Sequence, residues 1–96
     1  MDSIARLLIW LLEGTKGAKT RQLLLSLLLE KPRNMRQLAL AAGMDYKSVQ
    51  HHIELMEKNS IVSRAGGYSP IYFVSDIVLA EKGFVSKLKG GKHGKK

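Results

Sequence analysis

Apolar residues recur at helical spacing in the first third of the chain. Residues 3–13 place them at i, i+3, i+4, i+7 and i+8, and Gly14 follows. Residues 18–30 carry leucines on almost every side of a helix, and Pro32 follows the end of that segment. The pattern predicts two helices. The second is apolar on several sides and therefore needs more than one cover, of which a partner subunit is one natural source.

Two short capped helices follow at close spacing. Asn34 precedes "MRQLALAA" with Gln37 in the capping-box position, and Gly43 stands where such a helix should end. Asp45 then caps a further helix, 45–58, after the turn "GMD". This spacing is that of a helix-turn-helix.

The period changes from helix to strand after Ser60. "IVSRA" and "IYFVS" are β-branched and aromatic, and "GGYSP" lies between them, so a hairpin is predicted over 61–75. A last helix begins after Ser75 or Asp76, with one apolar stripe: Ile77, Ala80, Phe84 and Leu88. The predicted fold is mainly α with a small β-hairpin. It forms one domain, 1–89, and a basic tail, 90–96, that is predicted to be disordered.

The helix over 45–58 has two different faces. At 100° per residue, Val49, His52, Ile53 and Met56 share the side that should face the core. The outward side is basic and amide-rich in its first half: Lys47, Gln50 and His51. Such a half-helix suits contact with base edges in a major groove, although a plain amphipathic helix with solvated polar residues shows the same stripe. His52 is expected to be a structural histidine.

The charge of the chain bears on which binding partners are expected. The net charge is +8, and six of the sixteen Lys and Arg residues lie in residues 81–96, which hold a single acid. A basic balance favours polyanions or anionic surfaces. The tail could attract phosphate or only aid solubility.

Several kinds of chemistry are not expected. The chain has no cysteine, which excludes disulfides and thiolate metal sites and fits a cytoplasmic protein. His51 and His52 are adjacent and point about 100° apart, so no metal site and no cofactor is predicted. The runs "LLIWLL" and "LLLSLLL" are too short to span a bilayer. No phosphate-binding glycine loop or paired nucleophile and base is found, so an enzyme is not expected.

The segment 18–75, from the helix containing "TRQLLLSLLLE" to the hairpin strand "IYFVS", resembles the winged helix-turn-helix regulators of the ArsR-like type, particularly archaeal ones. The resemblance rests on that leucine-rich helix, on "LA" at 38–39 with Gly43, and on "DYKSVQHHIELMEKNSIV" against the family's recognition helix. It departs from the family at Ser60, where glycine is frequent, and in lacking the cysteines of the metal-sensing branch.

The resemblance implies a homodimeric, double-stranded DNA-binding transcriptional regulator with extra terminal helices. Helix 45–58 would read the major groove, and the wing, 61–75, would approach the backbone or minor groove. Eight DNA-contacting residues are implied by position: Arg36, Tyr46, Lys47, Ser48, Gln50, His51, Arg64 and Tyr68. Six apolar residues of the terminal helices are expected at the dimer interface: Ile4, Leu7, Leu8, Leu11, Phe84 and Leu88.

Three alternatives remain open at the level of sequence. Both terminal helices could pack over the chain's own core. The winged helix could serve as a protein-interaction module, since fold does not fix function. It could also be an architectural protein that binds DNA by charge alone and is indifferent to Gln50. No small-molecule effector is evident, and neither the operator nor the sign of regulation can be predicted.

Overall fold

The computed structural model describes the backbone of residues 3–92 and the side chains of residues 5–89. Six helices and three short strands follow one another along this part of the chain: α1 (Ser3–Glu13), α2 (Ala18–Glu30), β1 (Arg33–Asn34), α3 (Met35–Ala42), α4 (Tyr46–Lys58), β2 (Val62–Ala65), β3 (Ile71–Val74), α5 (Asp76–Leu79) and α6 (Lys82–Lys92). The predicted class, mainly α with a small hairpin, is confirmed.

The helix boundaries in the middle of the chain follow from local capping. The Asn34 side chain accepts a hydrogen bond from the Gln37 amide, and the Gln37 side chain accepts one from the Asn34 amide, both at 2.8 Å. Gly43 ends α3 in the left-handed region, at φ 67°. Asp45 then caps α4 by accepting the Ser48 amide at 3.0 Å. All three predicted caps are confirmed.

The hairpin forms as predicted, and β1 adds a third strand to its sheet. β3 lies between β1 and β2, and both of its neighbours are antiparallel to it. Arg33 is opposite Tyr72 on one side and Ser63 is opposite Phe73 on the other. β1 has only two residues, which is too short for the sequence pattern to indicate a strand.

Ser60 lies between α4 and β2, at the position where the resemblance leads us to expect glycine. Its φ is 63°, in the left-handed region that favours glycine. Its amide donates to the Glu57 carbonyl at 3.0 Å, and its carbonyl accepts the Ser75 hydroxyl at 2.7 Å. This hydrogen bond therefore links the residues just before β2 to the residues just after β3.

The core joins all the main helices to the sheet. Its members are apolar residues of α1, α2, α3 and α4, together with Ile61, Val62, Tyr72, Val74, Val78 and Leu88. The salt bridge from Lys87 to Glu13, at 2.5 Å, also links α6 to α1. Both terminal helices are thus part of one packed unit.

Three of the six residues expected at the dimer interface are buried in this core. Leu8 is 1% exposed, and Leu11 and Leu88 are also buried within the chain itself, so they offer no surface to a second copy. Leu7 and Phe84 are partly buried against the same core. The side chain of Ile4 lies outside the described residues. The stripe of α1 is covered by the chain's own helices, which was the open alternative.

The prediction of one continuous last helix with a single buried stripe is wrong. The chain forms α5 and α6 with a break at Ala80 and Glu81. Val78 is buried while Ile77 is 44% exposed, and of the predicted stripe only Leu88 is buried. The backbone of α6 continues to Lys92 and overlaps the first three residues of the predicted tail; residues 93–96 lie outside the described part of the chain.

The end of α1 is held by side chains of α2. The Arg21 Nε donates to the Leu11 carbonyl at 2.8 Å, and the Gln22 side-chain amide donates to the Leu12 carbonyl. These carbonyls belong to the last turn of α1, where they have no partner within the helix. The turn between α1 and α2 is therefore fixed in place by polar groups.

Candidate nucleic-acid interface

α4 has the predicted orientation. Val49, Ile53 and Met56 are fully buried, whereas Lys47 and His51 are exposed and Gln50 and Ser48 are partly exposed. The burial of one stripe against α3 and the sheet leaves the polar half facing solvent. Nothing in residues 5–89 covers Lys47 or His51. The outward face is basic or neutral over its first half and carries Glu54 in the second half.

The amino end of α4 is partly satisfied by its own cap. The Asp45 carboxylate accepts the Ser48 amide, and this hydrogen bond lowers the pKa of Asp45 below its usual value. The Ser48 amide is therefore already engaged and is not free to bind a phosphate. The Ser48 hydroxyl lies on the partly exposed surface beside it.

A groove joins α3, α4 and the tip of the hairpin. Its lining contains three of the residues implied by the family resemblance, namely Arg36, Tyr46 and Tyr68, and four that were not expected: Asn34, Met35, Ser69 and Pro70. Tyr68 is 98% exposed at the hairpin tip. The aromatic rings and the guanidinium thus share one concave surface next to the amino end of α4. The turn composition "GGYSP" was the available signal for Ser69 and Pro70.

The hairpin tip owes its shape to two positive φ angles. Gly66 has φ 95° and Ser69 has φ 55°. A side chain at Gly66 would be strained in this conformation. Tyr68, which lies between these two residues, is directed away from the core and lines the same groove as Tyr46.

Arg64 has a partner that the sequence did not predict. Its Nε lies 3.0 Å from a carboxylate oxygen of Glu57, on the second half of α4. Both side chains are partly exposed, so the ion pair itself contributes little stability. It does place Arg64 against the acidic half of α4, away from the groove formed by Arg36, Tyr46 and Tyr68.

His52 lies behind the outward face, as expected of a structural histidine. Its Nδ1 is 3.5 Å from Arg21 Nη1. Burial is the main cause that lowers the pKa of His52, and the positive charges of Arg21 and His51 lower it further. The His51 and His52 rings meet edge-on with centroids 6.3 Å apart. Within the described side chains, no three His, Cys, Asp or Glu residues are arranged to hold a metal ion.

No described helix has both the length and the apolar run needed to cross a membrane.

The resemblance to known proteins lies in the fold. No protein-family model and no curated protein matches the sequence. Solved structures do match. The reduced form of the transcriptional regulator YodB from B. subtilis superposes with a TM-score of 0.72 at 18% identity, over 94% of this chain and 89% of that one.

Two further structures extend the comparison. The homodimeric winged helix-turn-helix DNA-binding domain Mb0332 from Mycobacterium bovis, a possible ArsR-family transcriptional regulator, gives a TM-score of 0.64 at 20% identity, over 97% of this chain and 89% of that domain. ZitR from Lactococcus lactis gives 0.67 at 14% identity over 86% of this chain, which spans only 55% of ZitR. The structural neighbours are winged-helix transcriptional regulators, and this chain has the winged helix-turn-helix fold.

Proposed function

We propose that the protein is a sequence-specific, double-stranded DNA-binding transcriptional regulator of the ArsR-like type that acts in the cytoplasm as a homodimer. The observation that carries the proposal is the unobstructed polar first half of α4 beside the groove of Arg36, Tyr46 and Tyr68. A major groove about 12 Å wide admits one α-helix, and the amino-terminal half of such a helix makes the base contacts.

The exposed residues divide into two roles. Lys47 donates hydrogen bonds that suit guanine edges, and the Gln50 amide suits adenine. His51 lies further along the same face. Arg36, Tyr46 and Tyr68 surround the amino end of α4 and contact phosphates or sugars, which fixes register but carries no sequence information. The wing, 61–75, lies on the backbone or minor groove by way of Tyr68, and Arg64 reaches DNA only if it leaves Glu57.

The fold comparison and the exposed apolar residues of α1 support the proposed homodimer. Mb0332 is homodimeric and matches almost the whole chain. On this protein, Ile9 and Trp10 are exposed on α1, and Trp10 is 55% accessible. A second copy that covers this face would present two α4 helices to successive major grooves, about 34 Å apart. A pseudo-palindromic operator follows from that symmetry.

The exposed Trp10 also favours the rival function, a protein-interaction module, because an exposed tryptophan is typical of protein interfaces. The two functions differ in what they require of α4. A protein-interaction module that uses α1 does not need Gln50, and neither does a protein that binds DNA by charge alone.

Substitutions on α4 test the proposal. With a duplex enriched from a random DNA pool, Lys47→Ala and Gln50→Ala should each weaken binding by about 1–3 kcal/mol, because each removes a base contact. Fluorescence anisotropy at fixed salt measures this. Lys19→Ala, an exposed lysine on α2, is the matched control and should bind as the parent does. Equal affinities for all four proteins would contradict the proposal.

A further inference from the structure

Arg21 is a buried cation whose hydrogen bonds go largely to backbone carbonyls. It is 4% exposed. Its Nε donates to the Leu11 carbonyl at 2.8 Å, and its Nη2 donates to the Lys16 carbonyl at 3.1 Å and to the Thr15 hydroxyl. The ion pairs of the described residues, Arg33 with Glu30, Arg64 with Glu57 and Lys87 with Glu13, do not include it. The negative end of the α1 dipole compensates its charge.

The remaining nitrogen of Arg21 points at the recognition helix. Nη1 lies 3.5 Å from Nδ1 of His52 on α4. A guanidinium has only donors, so this contact requires a lone pair on Nδ1. A neutral ring with its proton on Nε2 supplies that lone pair. One hydrogen-bonded group thus connects α1, the α1–α2 turn and α4.

Gly17 shows how closely these three elements approach one another. A Cβ at this position would lie 3.0 Å from Cε1 of His52 and 3.1 Å from Nη1 of Arg21, and the φ angle of 84° also favours glycine. The turn backbone is therefore in contact with both side chains.

The charges around His52 have the same sign. Arg21 faces it from α2, and His51 faces it from its own helix. The α1–α2 turn contributes Gly17 at the ring, and Lys16, the charged residue of that turn, is exposed and binds Arg21 through its carbonyl. None of the acidic residues in the described chain contributes to the shifted pKa of His52, which burial lowers most, then Arg21, then His51.

We propose that Arg21 and His52 form a proton-sensitive link that positions α4 against the α1–α2 turn, so that mild acid releases the recognition helix and weakens DNA binding. A proton on Nδ1 removes the acceptor and sets two cations 3.5 Å apart. His52 is then a positioning residue, since it lies behind the outward face. The effect on DNA rests on the proposed function, whereas the effect on the fold does not.

The direction of the pH response follows from the lowered pKa. In the unfolded chain His52 takes up a proton near its ordinary pKa of 6.5, and in the folded chain it does so only at lower pH. The unfolded state therefore binds more protons between these two values. The stability from this contact is fully present above pH 6.5 and is lost as the pH falls from there toward the lowered pKa.

Urea unfolding at about pH 7.5 and about pH 5.5 tests the link, because histidine changes charge in this interval. His52→Asn supplies a neutral oxygen near the position of Nδ1 and does not titrate. His51→Asn is the matched control on the next residue, which is exposed. The parent and His51→Asn should lose stability on acidification, and His52→Asn should lose less than half as much. An undiminished loss in His52→Asn would contradict the link.

NMR titration of the parent's histidine rings provides a second measurement that requires no variant to fold. The His52 ring should titrate at a pH below its ordinary pKa of 6.5, and its Nδ1 should be unprotonated at neutral pH. If His52 titrates at or above its ordinary pKa of 6.5, or carries its proton on Nδ1, the link is wrong.

DNA affinity at the two pH values separates the link from the proposed function. For a duplex enriched from a random pool, the parent should bind about fivefold more weakly at the lower pH, at the small end of measured site-to-site couplings. The His52→Asn variant should bind the duplex no more weakly at the lower pH than at the higher pH. A fall of the same size in His52→Asn would contradict the link. If no variant binds any duplex, the proposed function fails, and the unfolding result still decides the link.

Discussion

Replacing Leu8 by glutamate is expected to unfold the protein. Leu8 is 1% exposed and belongs to the core cluster that joins α1 to α2 and α4. Removing a buried leucine costs about 2–5 kcal/mol, and an unpaired buried carboxylate adds to that. The total is comparable with the whole stability of a small domain, about 5–15 kcal/mol. Far-UV circular dichroism and urea unfolding measure the loss.

Trp10→Glu is the control on the opposite face of the same helix. Trp10 is largely exposed, so this change should alter the free energy of unfolding by no more than about 0.5 kcal/mol. It should lower the mass seen in sedimentation if a second copy covers α1. A Leu8→Glu protein that folds as the parent does and only changes its mass would contradict the placement of Leu8 in the chain's own core.

Replacing Arg21 by alanine should lower the free energy of unfolding by about 3–5 kcal/mol. The guanidinium donates to the Leu11 and Lys16 carbonyls and to Thr15, and hydrogen bonds to charged groups contribute about 1.5–3 kcal/mol each. Their loss also removes the Arg21 donor from the Leu11 carbonyl at the end of α1, where Gln22 still donates to the Leu12 carbonyl. Urea unfolding at neutral pH measures the effect.

Two further substitutions define what Arg21 contributes. Arg21→Lys keeps the charge but not the forked donors, so it should fall between the parent and Arg21→Ala. Arg6→Ala removes an exposed arginine of α1 and should change stability by less than about 0.5 kcal/mol. If Arg21→Ala is as stable as Arg6→Ala, the guanidinium does not hold the end of α1.

The features that the sequence predicted correctly depend on neighbours close along the chain. Asn34 with Gln37, Gly43, and Asp45 with Ser48 are all contacts within four residues, so residue type and spacing suffice to indicate them. The outward face of α4 follows in the same way from helical periodicity. These local signals place the helix-turn-helix and the first half of its second helix.

The features that were missed depend on contacts between distant residues. β1 exists because Arg33 and Asn34 pair with β3, nearly forty residues later. The stripe of α1 shows that Leu8 must be buried but not by which surface, and its own chain supplies the cover. Arg21 sits in a leucine-rich helix and binds carbonyls, which leave no pattern of side chains to recognise.

In the candidate site, too, features within one helix could be predicted and contacts between distant residues could not. Lys47 and Gln50 could be placed from the period of one helix. The groove that joins Arg36, Tyr46 and Tyr68 requires the hairpin to fold back beside α3. The pairing of Arg64 with Glu57 likewise crosses from a strand to a helix. The periodicity of a single helix therefore predicted the outward face of α4 and could not predict the residues that surround it.

Selection of bound duplexes from a random DNA pool tests the central claim, that the first half of α4 reads DNA sequence. The account predicts a pseudo-palindromic consensus whose half-sites lie one helical turn apart, about 10 base pairs. It also predicts that Gln50→Ala loses discrimination at one position of each half-site. A bound pool that keeps the composition of the starting pool would contradict the claim.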